Sequence, residues 1–276
     1  QDAQGRAAMA PDSRRSKLSA DGVIIMPTAA PPTTLAIVIV NWNSGTLLAE
    51  CLASIGQGAA SLGPEFALSS VVVVDNGSVD GSENVRLDLV PVLTLIRNGQ
   101  NRGFAAACNQ GAAGLASELI LFLNPDTRLF AHSLAAPLKL LQQPGHARTG
   151  IVGIAMVDDQ GRVVPSCARF PRAWHFASHA IGLDRIWPRT GHFMLEWNHA
   201  DTRRVDQVIG AFFMIRRSVF ETLAGFDERF FVYFEEVDLA LRARQAGWDS
   251  VYLADASVYH KGGGTSEAVK DLRLFY

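Results

Sequence analysis

Apolar residues along this chain gather into short unbroken runs, and the runs stop at one kind of punctuation. Leu35–Val40 ends at Asn41-Trp42-Asn43-Ser44, Val71–Val74 at Asp75-Asn76-Gly77-Ser78, and Leu119–Leu123 at Asn124-Pro125-Asp126-Thr127. An unbroken apolar run of this length reads as a strand covered on both faces. Pro125 cannot donate to a further ladder position, so the third run has to stop there. Val92–Ile96 reads as one more strand. Between the strands, Leu47, Leu48, Cys51, Leu52 and Ile55 recur at helical spacing, Asp80 or Ser82 offers a cap for a short helix, and small residues fill a helix from Gly103 to about Ala116. Buried strands alternating with helices over short connections predict an α/β fold with a doubly wound, mostly parallel sheet flanked by helices. The polar clusters then line one rim, the carboxyl ends of the strands, where open α/β sheets bind ligands.

The pattern changes after a helix near Ser133–Gln142. Gly150–Val157, a turn at Asp158–Gly161 and Arg162–Cys167 read as a hairpin-like pair. Phe170–Asn198 is loop-rich, with many Trp, Phe, His and Arg residues at weak periodicity; a mobile acceptor region and aromatics packing irregular loops are both compatible with it. Val208–Ile215 reads as a strand containing Gly210, and Arg217–Ala224 as a short helix closed by Gly225. An aromatic loop, Phe226–Phe234, leads into a helix over Glu235–Ala246 that ends at Gly247. Val251–Leu253 and Ser257–His260 read as two short strands. Residues 1–33, rich in Ala, Pro and Ser with the basic cluster Arg14, Arg15 and Lys17, read as a disordered leader ahead of a single domain over 34–276.

Composition narrows the classes. The 276 residues are 48% hydrophobic and 19% charged, as expected of a globular chain. A net charge of −2 without a basic stripe argues against a nucleic-acid partner. Cys51, Cys108 and Cys167 are odd in number and far apart, which suggests a reducing compartment and no disulfide framework. No apolar run approaches the ~20 residues that span a bilayer.

The candidate chemistry is carried by carboxylates. Asp126 is delivered to the carboxyl end of a buried strand. Glu235, Glu236 and Asp238 open a helix, where the dipole favours negative charge whatever its use. Glu235 and Asp238 share a direction, and Asp238 can pair with Arg242 one turn on; Glu236 points elsewhere, beside the aromatic loop. A carboxylate in partly apolar surroundings has a raised pKa, which suits a general base. His260 follows a strand and precedes flexible glycines.

In their order and spacing these segments resemble the family 2 glycosyltransferases of the GT-A fold, a Rossmann-like architecture, and among them the bacterial rhamnosyltransferase-like branch. The resemblance runs from about residue 35 to 266. It rests on Val40–Asn43, Val74–Ser82, Asn101–Ala105, Leu123–Thr127, Gly210–Phe212, Gly225–Glu228, Phe230–Asp238 with Arg242, and His260 near Gly264 and Ser266. It implies a nucleotide-sugar-binding half over 34–130 and an acceptor-binding, catalytic half over 131–276. Trp42 and Asp75 would contact the nucleoside, with Asn43, Asn76, Arg102, Gly103 and Asn124 also on the donor side. Asp126 would ligate Mg2+ or Mn2+, and His260 matches a metal- or diphosphate-contacting histidine. Glu236 would be the base. Two departures stand out: Asn124 replaces an acidic residue, and Glu236 stands where aspartate is usual, so Glu235 and Glu236 both stay candidates.

The resemblance further implies an inverting, metal-dependent transfer from a dTDP- or UDP-sugar, rhamnose being the first choice. The acceptor would be a surface-glycan or lipid-linked hydroxyl, in the cytoplasm or at the inner face of the membrane. A catalytically silent GT-A module that binds nucleotide sugar or glycan is the alternative. A nucleotidyltransferase is disfavoured because Asn41–Ser44 lacks a glycine-rich basic loop, and a dinucleotide oxidoreductase because no Gly-x-Gly-x-x-Gly follows the first strand.

Overall fold

The first half of the chain builds β1 (Thr33–Asn41), α1 (Leu47–Ala60), β2 (Phe66–Asp75), β3 (Leu93–Arg97), α2 (Phe104–Ala112) and β4 (Leu119–Leu123). The computed structural model describes residues 30–262; residues 1–29 of the expected leader, and the Gly264 and Ser266 positions near His260, lie outside the described residues. β1 pairs in parallel with β2 and β4, and β2 with β3. Side chains alternate across β1 as a strand requires. Leu35, Ile37 and Ile39 pack with Leu48, Leu52 and Ile55 of α1, while Val38 and Val40 pack with Ala105 and Cys108 of α2. Each fully buried aliphatic side chain contributes roughly 1.5–3 kcal/mol, so these two layers hold the sheet between helices.

No α-helix joins β2 to β3; a single 3-10 turn at Leu87–Leu89 does. Asp80, expected as a cap, instead accepts hydrogen bonds from the Gly45 N–H (2.8 Å), the Ser82 N–H (3.0 Å) and the Ser82 hydroxyl (2.6 Å). Its carboxylate ties this loop to the turn after β1. α2 also stops short of Ala116, because Ala113 is extended and Gly114 takes a left-handed φ of 73°.

The second half adds β5 (Thr127–Leu129), α3 (His132–Gln142), β6 (Thr149–Val157), β7 (Val163–Val164), β8 (Cys167–Ala168), α4 (Ala173–Ala180), α5 (Leu183–Ile186), β9 (Arg203–Val205), β10 (Gln207–Val208), β11 (Phe212–Arg216), α6 (Arg217–Thr222), α7 (Glu235–Gln245) and β12 (Asp249–His260). The main sheet has the order β3-β2-β1-β4-β11-β6-β12-β5. β12 runs parallel to β6, and β11 is antiparallel to both β4 and β6.

Three expectations change here. The strand foreseen over Val208–Ile215 is two pieces: β10 pairs with β8, the chain turns at Gly210–Ala211, and β11 enters the main sheet. The two short strands near the end are one, continuous across a register shift between Leu253 and Ser257. The aromatic stretch after Phe170 holds two short helices and a 3-10 turn rather than loop alone.

α2 reaches the sheet through Gly111. A Cβ there would lie 2.6 Å from Val38 Cγ1 and 3.0 Å from Val74 Cγ2. Gly111→Leu should therefore cost about 1–3 kcal/mol through overpacking, a fall in Tm of about 2–4 °C per kcal/mol for a domain of this size. Gly145→Ala, with open space around it, is the matched control. Calorimetry giving Gly111→Leu the same Tm as the control would mean that α2 is not seated on β1 and β2.

Candidate active site

Where β1 and β2 end, an Asn and an Asp face each other in register. Asn41 is fully buried, and its side-chain NH2 lies 2.8 Å from Asp75 Oδ1 and 3.1 Å from the Ser78 and Ser82 hydroxyls. Asp75, 3% exposed, also accepts from the Ser78 N–H at 3.3 Å. Asn43 takes a left-handed φ of 49°, and its Oδ1 accepts from the Val79 N–H at 2.9 Å. Trp42, between them, is half-buried. Asn41 and Asn43 thus lock the two loops, with Asp75 held between Asn41 and Ser78 and the Trp42 side chain half-buried beside them.

The next loop is pinned the same way. Asn76 Oδ1 accepts from Asn98 Nδ2 and the Arg102 N–H, both at 3.1 Å, and Asn76 Nδ2 donates to Asn101 Oδ1 at 2.8 Å and to the Gly103 carbonyl at 3.2 Å. Its amide is engaged within the chain, so Asn76 positions the Asn98–Gly103 loop. Arg102 is exposed, with no side-chain partner among the described residues. Gly103 has a φ of 88°, and a Cβ on it would lie 2.7 Å from the Phe231 carbonyl, which accepts from the Phe104 N–H at 2.7 Å. Only glycine allows the aromatic loop to dock here.

The organising carboxylate lies at the end of β4. Asp126 is 3% exposed, and its Oδ1 has no hydrogen-bond partner. Such an orphaned buried oxygen is costly unless something completes it. The nearest group of opposite character is His260 Nε2, 3.5 Å away, delivered by the antiparallel pairing of β5 with β12, in which His260 faces Thr127. One carboxylate oxygen and one imidazole nitrogen suit a divalent cation of intermediate hardness. Among the described residues no three His, Cys, Asp or Glu side chains form a ready cage. Asp126 and His260 would hold such an ion only with further ligands from outside these two side chains. Cys51, nearby, is pushed up to about 12 by burial and is inert at neutral pH. The Asn124 side chain is half-buried beside Asp126, while its backbone N–H donates to the Ala211 carbonyl at 3.0 Å.

That last bond joins the donor side to the two glutamates. Glu236 accepts from the Gly210 N–H as well as from N–H groups of its own helix start, and its Cγ lies 3.7 Å from where a Gly210 Cβ would be. Glu235 and Glu236 are 5% and 7% exposed, and each has an Oε2 without a hydrogen-bond partner. Burial raises both above the ordinary carboxyl range, and the charge of Glu236 raises Glu235 further. Burial first, and then the charges of both glutamates, push up the Cys108 thiol on α2. The expected division of the acidic cluster needs correcting at Glu235: Asp238 does pair with Arg242, at 2.7 Å, but Glu235 is as buried as Glu236 and does not share its half-exposed position. Tyr233 and Phe234, with φ of 68° and 69°, lead into the helix through backbone that bulky residues rarely adopt.

The predicted site residues thus lie in the loops after β1, β2, β3 and β4, at the end of β12, or at the start of α7 beside the Gly210 turn. A cavity of about 420 Å³ lined by Asn109, Ile120, Arg217 and Glu221 contains none of them, and the chemistry points to the rim instead. Sequence reasoning gave no role to Asn41, Asn101, or the Gly210 N–H. The first two were legible as polar residues inside motif stretches; a backbone donor carries no sequence signal.

The family described as glycosyl transferase family 2 matches residues 36–224. N-acetylglucosaminyl-diphospho-decaprenol L-rhamnosyltransferase of Mycobacterium tuberculosis is 33% identical over 240 residues, which cover 82% of this chain and 75% of that protein. Two solved structures share the fold. A mannosyltransferase from Pyrobaculum calidifontis, in complex with GDP-Man and Mn2+, superposes with a TM-score of 0.56 at 19% identity over 84% of this chain and 57% of its own. GalNAc-T7, with UDP, GalNAc and Mn2+, gives 0.60 at 16% identity over 83% and 43%. The chain thus spans about half the length of these two.

The glutamate pair makes stability depend on pH. A carboxyl raised above its unfolded value binds its proton more tightly when folded. Its stabilising contribution is full below the ordinary value of 4.5 and is lost as pH rises through the raised value. Glu235→Gln should match the parent in Tm near that pH and exceed it increasingly toward alkaline pH, as followed by circular dichroism. A gap that stays constant with pH would show that Glu235 ionises in the folded protein as freely as in water.

Proposed function

The chain belongs to glycosyltransferase family 2 and is a glycosyltransferase, and from that premise we propose that it moves rhamnose from a nucleoside-diphosphate donor to a hydroxyl of a lipid-linked N-acetylglucosamine. The observation that carries the reading is the junction of β4 with β11. Two buried carboxylates, each with an oxygen lacking a partner, flank it: Asp126 beside the strand end and Glu236 on the Gly210 N–H. They suit the two needs of sugar transfer, which are charge stabilisation on the departing diphosphate and proton removal from the attacking hydroxyl.

Asp75 and Trp42 take the nucleoside at the ends of β1 and β2. Asn41, Asn43 and Asn76 hold the loops that shape that pocket, and Arg102 reaches the donor from the exposed side. Asp126 and His260 would hold Mg2+ or Mn2+, which as a Lewis acid offsets the charge of the leaving diphosphate. Glu236, raised toward neutrality by burial, takes the acceptor proton as the hydroxyl attacks the anomeric carbon. A single base opposite the leaving group gives inversion in one step. The choice of thymidine diphosphate over uridine diphosphate, and of the inner membrane face as the workplace, belongs to the same proposal. Among the described residues no helix is long and apolar enough to cross a membrane.

Two measurements test it. Nucleoside diphosphate with Mn2+ at ~100 times its Kd should stabilise the parent by about 2.7 kcal/mol in thermal unfolding. Asp126→Ala should lose the metal-dependent part of this shift. A full shift in that variant would remove Asp126 from the metal. Glu236→Gln should lower kcat about 10²–10⁴-fold with the donor-induced shift intact. A loss of this size in Glu235→Gln alone would move the base to Glu235.

A further inference from the structure

The segment between β8 and β10 is closed by their pairing, a two-stranded ladder apart from the main sheet, and the chain that leaves it reaches Gly210 beside Glu236. Gln207 and Val208 pair with Ala168 and Cys167, the Ile209 N–H donates to the Ser166 carbonyl at 2.9 Å, and the next residue is Gly210, whose N–H the Glu236 carboxylate accepts. The part of this segment that carries α4 and α5 is internally built. His175 and Ser178 are buried on the inner face of α4. The Ser178 hydroxyl donates to Thr190 Oγ1, and His179 Nδ1 meets Asp184 Oδ2, each at 2.7 Å.

Its outer surface has an unusual make-up. Ile181, Ile186 and Trp187 are 77%, 85% and 63% exposed, and Trp174 and Phe176 nearly half. Trp174, half-exposed on α4, packs with its ring centroid 4.0 Å from that of His175, and Ile181 caps the C-terminus of the helix. Arg172, Arg185 and Arg189 are exposed around them. The single acid from Arg172 to Arg189 is Asp184, which His179 already engages. Protruding Ile and Trp ringed by arginine, with no free acid among them, match the two features of an anionic lipid surface: an apolar layer under a negatively charged headgroup layer.

We propose that the α4–α5 segment docks on an anionic bilayer, with Ile181, Ile186 and Trp187 entering the headgroup boundary and Arg172, Arg185 and Arg189 meeting the lipid charges. This deepens the proposed function and rests on it for its purpose: a lipid-linked acceptor stays anchored while its sugar hydroxyl reaches Glu236, so the membrane-facing element belongs on the acceptor side of the base. Rooting at β8 and β10 puts it there.

The test reads membrane binding without substrate. The full chain is sedimented with phosphatidylglycerol-containing vesicles and with pure phosphatidylcholine vesicles, at low and high salt. The parent should bind the anionic vesicles, more weakly at high salt, with a blue shift in Trp emission. The double variant Ile186→Glu, Trp187→Glu should lose roughly tenfold in partitioning, and Arg185→Gln roughly fivefold on anionic vesicles alone. Both should keep the parent's Tm and its shift with nucleoside diphosphate and Mn2+, which separates this proposal from the donor-site reading. Absence of parental binding, equal binding to both vesicle types, or undiminished binding of the double variant would overturn it. So would a parental dimer in light scattering that the double variant converts to monomer, because the surface would then serve a second copy.

Discussion

One antiparallel strand in an otherwise parallel span decides where chemistry can occur. Had β11 run parallel to β4, its start would lie at the opposite rim from Asn124. Run antiparallel, it brings the Gly210–Ala211 turn against the end of β4, where the Asn124 N–H donates to the Ala211 carbonyl. The loop that receives Glu236 and the strand end that presents Asp126 are then neighbours by backbone pairing, which is stiffer than any side-chain contact. The second crossing, β5 with β12, does the same for His260. Two halves of the sequence thus share one sheet, and the rim between them is fixed by ladders.

A site built this way carries an energetic load. Burying a carboxyl without full hydrogen bonding is costly, and the cost falls mainly on the ionised form. Asp126, Glu235 and Glu236 all leave an oxygen without a partner. The surrounding structure opposes this with neutral amides: Asn98 and Gln110 bond reciprocally, Asn76 accepts from Asn98 and donates to Asn101, and Asn41 donates to Asp75, so the loops are held without added charge. Asn109 brackets the Phe226 backbone from both sides at 2.9 Å, and Arg242 adds bonds to the Leu223 and Gly225 carbonyls, so the aromatic loop is held at its root. The left-handed Tyr233 and Phe234 are then kept in a conformation they would not choose alone.

What the sequence made legible follows the range of the interactions involved. Buried strands announce themselves in local composition, so β1, β2 and β4 and the rim at their ends could be read from Val, Ile and Leu runs stopped by Asn or Asp. Asp126 at a strand end and the Glu235–Glu236 pair at a helix start were legible in position for the same reason. The helix expected after Asp80 failed because its carboxylate answers the N–H of Gly45, thirty-five residues away, instead of a helix of its own. The break at Gly210 was hidden because Val208–Ile215 is apolar throughout, and only pairing with two different partners divides it. The faces of Glu235 and Glu236 could be told apart by helical geometry, but their equal burial could not, since it depends on α2 and the Gly210 turn arriving from elsewhere.

The two departures from the family's acidic pattern acquire a common physical sense in this setting. With Asn124 neutral, Asp126 is the one carboxylate at the end of β4, and its orphaned oxygen faces His260. On the other side of the junction, the longer arm of Glu236 is steadied by the Gly210 N–H, and a side chain at 210 would sit in ordinary contact with it at 3.7 Å. Charge is thinned where the proposed cation would sit, and reach is lengthened at the proposed base. Both adjustments act at the β4–β11 junction, which is also where the acceptor-side segment returns to the sheet.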